Sequence, residues 1–155
     1  MTTPRTSPFQ LATLRREQHV DVVRLLARAY ATNPMNAAAF GPGALTRNEA
    51  FFRQAVAVMN GTKVAALDGD TVVGVAHWVR SPGCQLSSSA KLRLMPTMLA
   101  GVGPSAAMRV SRWLSAWSAR DCAHAHLHLG AGCHARDPMR DGCDRAPPAA
   151  VMSES

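Results

Sequence analysis

Lys63–Arg80, KVAALDGDTVVGVAHWVR, is the stretch that decides the fold. Two apolar runs rich in valine, Lys63–Leu67 and Thr71–Arg80, flank Asp68-Gly69-Asp70, and the glycine can take the positive φ that a tight hairpin turn requires. An antiparallel strand pair is expected here, and the rest of the chain is read outward from it.

Upstream, Phe9–Leu14 reads as a short first strand behind a polar leader, Met1–Pro8, expected to be disordered. From His19, the residues Val22, Val23, Leu25, Leu26, Ala29 and Tyr30 recur at helical spacing, with Asp21 near the start and Arg24 and Arg28 later, the order a helix dipole favours. Asn33-Pro34 is expected to stop that helix, because the residue before a proline avoids the α region. Beyond Gly41-Pro42-Gly43, Thr46 and Glu49 have capping-box spacing for a second helix through Phe51, Phe52, Val56 and Met59, closed by Asn60-Gly61.

Downstream, Ser81–Ser89 is a loop and Lys91–Ala119 is mostly helical, with interruptions expected at Pro96 and at Gly101-Val102-Gly103-Pro104. Met108, Trp113, Leu114 and Trp117 fall near one face of its second half, a spacing that predicts packing. Ala123–Leu129 is short and β-compatible. After Gly130 the pattern stops: Ala131–Ser155 carries Cys133, Cys143, Pro138, Pro147 and Pro148 without helical or strand period. These elements predict an α/β (α+β) domain over 9–130, a mixed, mostly antiparallel sheet with flanking helices, followed by an irregular tail over 131–155.

The 155 residues suffice for one domain, and a hydrophobic fraction of 47% with 17% charged residues belongs to a globular protein. The net charge of +7 favours polyanionic partners. The arginines are scattered from Arg15 to Arg120 rather than gathered in a stripe, which argues against a dedicated nucleic-acid reader. Met1–Pro8 lacks the apolar stretch of a signal peptide and no 18-residue apolar run follows, so a cytoplasmic location and no membrane partner are expected. Cys84, Cys122, Cys133 and Cys143 have no CxxC spacing, and in a reducing compartment they are expected as thiols.

The order strand, helix, helix, strand, turn, strand, helix, strand resembles the N-terminal part of the GCN5-related N-acetyltransferase (GNAT) fold. Ala29-Tyr30-Ala31-Thr32-Asn33-Pro34 is similar to the helix-ending stretch of bacterial members, Val72-Val73-Gly74-Val75-Ala76-His77-Trp78 to their third strand, and His126-Leu127-His128-Leu129-Gly130 to their fourth. The resemblance covers about Phe9–Gly130. It implies a GNAT-like acyl-CoA N-acyltransferase fold, acetyl-CoA as cosubstrate, and a small-molecule amine or a protein N-terminus as acceptor. It also implies that the backbone of the fourth strand, at Leu127, Leu129 and Gly130, meets the pantetheine arm; a plain core strand is the alternative at the same residues.

In that family an Arg/Gln-x-x-Gly-x-Gly/Ala loop follows the fourth strand and holds the pyrophosphate through backbone N–H groups at a helix start. Here Gly130, Gly132 and Gly142 lack that spacing, and Pro138, Pro147 and Pro148 oppose a helix. Read one base forward, the degenerate codons of Met139–Ala150 admit a Gly-x-Gly-x-x-Gly run, so the tail is read as an out-of-frame segment. The expectation is therefore an N-acetyltransferase domain incomplete at its C-terminus and inactive in this form, with weak or absent cosubstrate binding. A non-catalytic α/β interaction module is the other reading, binding itself or a partner through an exposed strand edge.

Catalysis of this kind needs two substrates positioned and a proton accepted. His77, His126 and His128 are candidate bases, each weighed against a structural role, and no catalytic residue is assigned. Tyr30 is read as helix packing. Cys122, His124, His126, His128, Cys133 and His134 are dense enough to suggest a metal, and alternation on a strand would put His124, His126 and His128 on one face. Without paired CxxC or HxxxH spacing, no metal site is expected.

Overall fold

A computed structural model of the chain describes residues 9–121 and 124–130, together with the backbone of Cys133 and His134. The leader expected over 1–8 lies outside the described residues, as does the tail expected over 131–155 apart from that pair.

The hairpin forms as its turn chemistry requires: β2 (Thr62–Asp68) pairs antiparallel with β3 (Thr71–Arg80), and Gly69 turns the chain with φ of 60°. On the far side of β2 lies β1 (Gln10–Thr13), also antiparallel. β4 (Leu127–Leu129) pairs antiparallel with the C-terminal end of β3, and β5 (Cys133–His134) with its middle. The sheet order is thus β1-β2-β3-β4, and every described pair is antiparallel. Between β4 and β5 the register on β3 shifts by one residue, from Trp78 opposite Leu129 to Val75 opposite Cys133.

One face of this sheet is covered by two helices, α1 (His19–Ala29) and α3 (Leu45–Val58). Val22, Val23, Leu26 and Ala27 of α1 and Phe52 and Val56 of α3 pack on Ala65, Leu67, Val72 and Val75 in one buried cluster. A second cluster joins Phe40 of α2 (Pro34–Phe40) to Val102 of α4 (Ser88–Val102) and to Ala106, Ala107 and Val110 of α5 (Pro104–Ser118). Phe51 packs against both, its ring 5.5 Å from that of Phe40 and 5.2 Å from that of Phe52.

Element boundaries depart from the sequence reading in four places, three in helices and one in a strand. First, α1 ends at Ala29, and Asn33-Pro34 begins the next helix instead of stopping this one. The Asn33 carboxamide oxygen accepts from the Met35 N–H at 2.9 Å and the Asn36 N–H at 3.4 Å, while Pro34 takes the first helical position, where its missing N–H costs nothing. Second, the Thr46–Glu49 capping box does not form. Ala44 is the N-cap and the helix has already started at Leu45, so Thr46 lies within the first turn.

Third, Pro96 does not interrupt α4. The proline forfeits one backbone hydrogen bond, but Met98 and Val102 pack on the Phe40 cluster and Gly101 lies close against Ala50 of α3, so tertiary burial overrides the local penalty. The break comes at Gly103, whose φ of 83° suits glycine. Fourth, the last expected strand, Ala123–Leu129, is pleated only over Leu127–Leu129. Backbone pairing with β3 then resumes at Cys133–His134, beyond the Gly130 boundary read from the sequence.

A buried amide locks the three helices together. Asn48 on α3 is 2% exposed; its oxygen accepts from the Asn36 side chain of α2 at 2.8 Å and its nitrogen donates to the Ala27 carbonyl of α1 at 3.4 Å. The exposed carbonyls at the end of α2 are met by Arg47, which donates to Phe40 O at 2.8 Å, and by Arg109, which donates twice to Ala39 O at 2.6 and 2.9 Å. Replacing Asn48 with alanine removes a buried partner from two helices and is expected to lower unfolding free energy by about 1–3 kcal/mol, read as a reduced urea midpoint with unchanged slope.

Candidate functional site

The residues assigned to cosubstrate contact, Leu127, Leu129 and Gly130, all lie on or beside β4, and the pairing geometry divides them. Ser81 N–H donates to His126 O at 3.0 Å, and Gly130 N–H donates to His77 O at 2.9 Å. In an antiparallel ladder, hydrogen-bonded and non-bonded pairs alternate, so with pairs 81/126 and 77/130 bonded, 79/128 is bonded as well. Arg80/Leu127 and Trp78/Leu129 are then the non-bonded pairs. The N–H and C=O groups of Leu127 and Leu129 therefore point away from β3, along an edge that no other described strand covers. Gly130 has its N–H committed to the sheet.

The side chains follow the same parity. Leu127 and Leu129, each 54% exposed, share the uncovered face of the sheet with Trp78 and Arg80, to which they are register partners. They are not core residues. Leu11 of β1, 73% exposed, extends this open apolar face to the opposite edge through Ala66 and Gly74. His128 points to the helix-covered side with Val79 and packs against Trp117 of α5 in a tilted arrangement, ring centroids 4.7 Å apart.

Of the three candidate bases, His77 is the most enclosed, at 6% exposure. Its Nε2 contacts the Asn60 carbonyl and must donate to it, which leaves Nδ1 on the other side of the ring. That nitrogen is buried, lacks a hydrogen-bond partner among the described residues, and faces Gly130, where any Cβ would collide with it. Gly130 is thus required by His77 packing, and His77 has a structural part. His128 has its pKa held below the ordinary histidine value, first by burial and further by His126 and His77, against the opposing pull of Asp121.

The expected alternation of His124, His126 and His128 along one strand does not occur, because β4 starts only at Leu127. His124 is exposed, and its carbonyl accepts from His126 Nδ1 at 2.8 Å. The side chains of Cys122, Cys133 and His134 lie outside the described residues. His126 instead reaches Asp121, just past α5, which in turn meets Cys84 of the loop after β3. Asp121 and Cys84 were not singled out by sequence reading: 37 residues separate them, and no spacing rule links a lone cysteine to a lone acid.

The depressed His128 pKa has a stability consequence. The folded state takes up the His128 proton less readily than the unfolded chain, so its contribution is complete above the ordinary histidine range and is lost as pH falls through that range toward the folded value. Urea midpoints measured across that window are expected to drop less steeply in His128→Asn than in the wild type, and an NMR titration should place the His128 midpoint below the ordinary histidine value.

No protein-family model, curated protein or solved structure matches the chain.

Proposed function

We propose that the chain carries the pantetheine-holding part of a GNAT-type N-acetyltransferase domain without the loop that grips the pyrophosphate. The observation that supports it most is the outward row of backbone groups at Leu127 and Leu129. A pantetheine arm is extended and carries two amides, and an uncovered strand edge offers it donors and acceptors in the manner of an added strand. The order β1-β2-β3-β4, with α1, α2 and α3 inserted between β1 and β2, fits the same reading.

The chemistry would be direct aminolysis. The acceptor nitrogen forms a bond to the acetyl carbonyl carbon, the carbon–sulfur bond breaks, the CoA thiolate leaves, and the amine proton passes to a base. The acceptor is a small amine or a protein N-terminus. The sequence after β4 supplies no glycine loop, so acetyl-CoA is held weakly or not at all and the chain is inactive as it stands.

Calorimetry of the full chain should detect no low-micromolar acetyl-CoA binding; tight binding would overturn the account of the missing cradle. Grafting a Gly-x-Gly-x-Gly loop and a helix after Gly130 should create binding, and Leu129→Pro on that graft should weaken it about two- to tenfold by removing one outward N–H. A folded graft that gains no affinity would sink the GNAT reading.

The same edge makes self-association the expected behaviour under reducing conditions. Sedimentation velocity should show concentration-dependent oligomers that Leu127→Lys suppresses, since an edge lysine opposes strand pairing. A monomer at every concentration would show the edge to be protected.

A further inference from the structure

We propose that Cys84, Asp121 and His126 form a binding site for a zinc-class divalent transition metal, apart from the β4 edge and independent of the acetyltransferase reading. Three elements converge to build it: the loop after β3 brings Cys84, the end of α5 brings Asp121, and the approach to β4 brings His126. Sγ of Cys84 lies 3.2 Å from Asp121 Oδ2, and Nε2 of His126 lies 3.2 Å from Asp121 Oδ1. All three donor atoms fall within 4.8 Å of one another. Tetrahedral zinc, with bonds of about 2.3 Å to sulfur and about 2.0–2.2 Å to nitrogen and oxygen, separates its donors by about 3.3–3.7 Å, so small rotations suffice to close the set.

The donors are oriented as well as close. His126 Nδ1 lies 2.8 Å from the His124 carbonyl and donates to it, which leaves Nε2 as the ring nitrogen that faces Asp121 and is placed to ligate. The carboxylate is steadied by Gln85, whose amide donates to Asp121 Oδ2 at 3.1 Å and whose carbonyl accepts from Ser118 Oγ at 2.8 Å. These contacts come from outside the donor set, as supporting partners do at metal centres.

The site is partly shielded, with the Asp121 side chain 10% and the His126 side chain 22% exposed. One sulfur, one imidazole nitrogen and one carboxylate oxygen favour a borderline-soft ion over magnesium or calcium. Thiolate, carboxylate and neutral imidazole exactly offset a dication in formal charge, and the thiol proton now shared with Asp121 is released to solvent on binding. Three protein donors leave the fourth position to water or substrate.

The test is cobalt titration of the full chain, stripped with chelator and kept reduced with a phosphine. One equivalent should produce tetrahedral d–d absorption with a thiolate-to-cobalt charge-transfer band, and zinc should displace it. Cys84→Ser should abolish the band, while His126→Ala and the isosteric Asp121→Asn should each weaken binding more than about tenfold. Asp121→Asn keeps the packing, so its loss of affinity cannot be ascribed to misfolding. A Cys133→Ser/Cys143→Ser variant should retain the band. Absence of the band at stoichiometric cobalt, its survival in Cys84→Ser, or its loss only in the Cys133/Cys143 variant would overturn the site. None of these readouts involves acetyl-CoA, so they stand or fall separately from the proposed function.

Discussion

Burial of α1 and α3 on one side of the sheet is the constraint on which the other features rest. Val22, Leu26, Phe52 and Val56 find their apolar surroundings only against Ala65, Leu67, Val72 and Val75. Each such side chain is worth about 1.5–3 kcal/mol when removed from water. Because strand side chains alternate, a slip of one residue anywhere in β2 or β3 would turn this apolar set to solvent. The register is therefore fixed by the helices, and the outer edge of β3 is held where β4 can reach it. Phe51 then couples the sheet-borne cluster to the one built by α2, α4 and α5, so that two modest cores act as one.

Covering only one face has a cost on the other. Leu11, Leu127 and Leu129 are more than half exposed, and Trp78 stands opposite Leu129 on the same face. The open face and the open edge meet at β4, where backbone groups and leucine side chains are presented together. The formal charge of the chain is not all available to partners either, because Arg47 and Arg109 are engaged in closing α2.

What was legible in the sequence was whatever local chemistry settles alone. The β2–β3 hairpin depends on Asp68-Gly69-Asp70 and two apolar runs, and it formed with Gly69 at positive φ. Boundaries decided by competing local signals were not legible. Asn33-Pro34 suits a helix start as well as a stop, and only the placement of Phe40 under α5 selects the start. Pro96 reads as a breaker until Gly101 and Ala50 are seen to touch. The facing of Leu127 and Leu129 depends on which β3 residue each opposes, a pairing across 47 or more positions that periodicity in so short a strand does not specify. Of the Cys84–Asp121–His126 cluster only His126 carried any signal, since tertiary folding alone brings the other two to it.

Asn48 bears on how the chain discriminates against wrong arrangements of the same parts. Apolar helix surfaces slide over one another with little change in energy, because one methyl group replaces another as neighbour. An amide seated among three helices behaves differently: a displacement of one residue along α1 or α2 strands donors and acceptors away from water. The contact thus works as a key rather than as a glue. Beyond what it adds to the depth of the native minimum, it raises the minima beside it, so a core built largely of alanine and valine can still settle on a single packing.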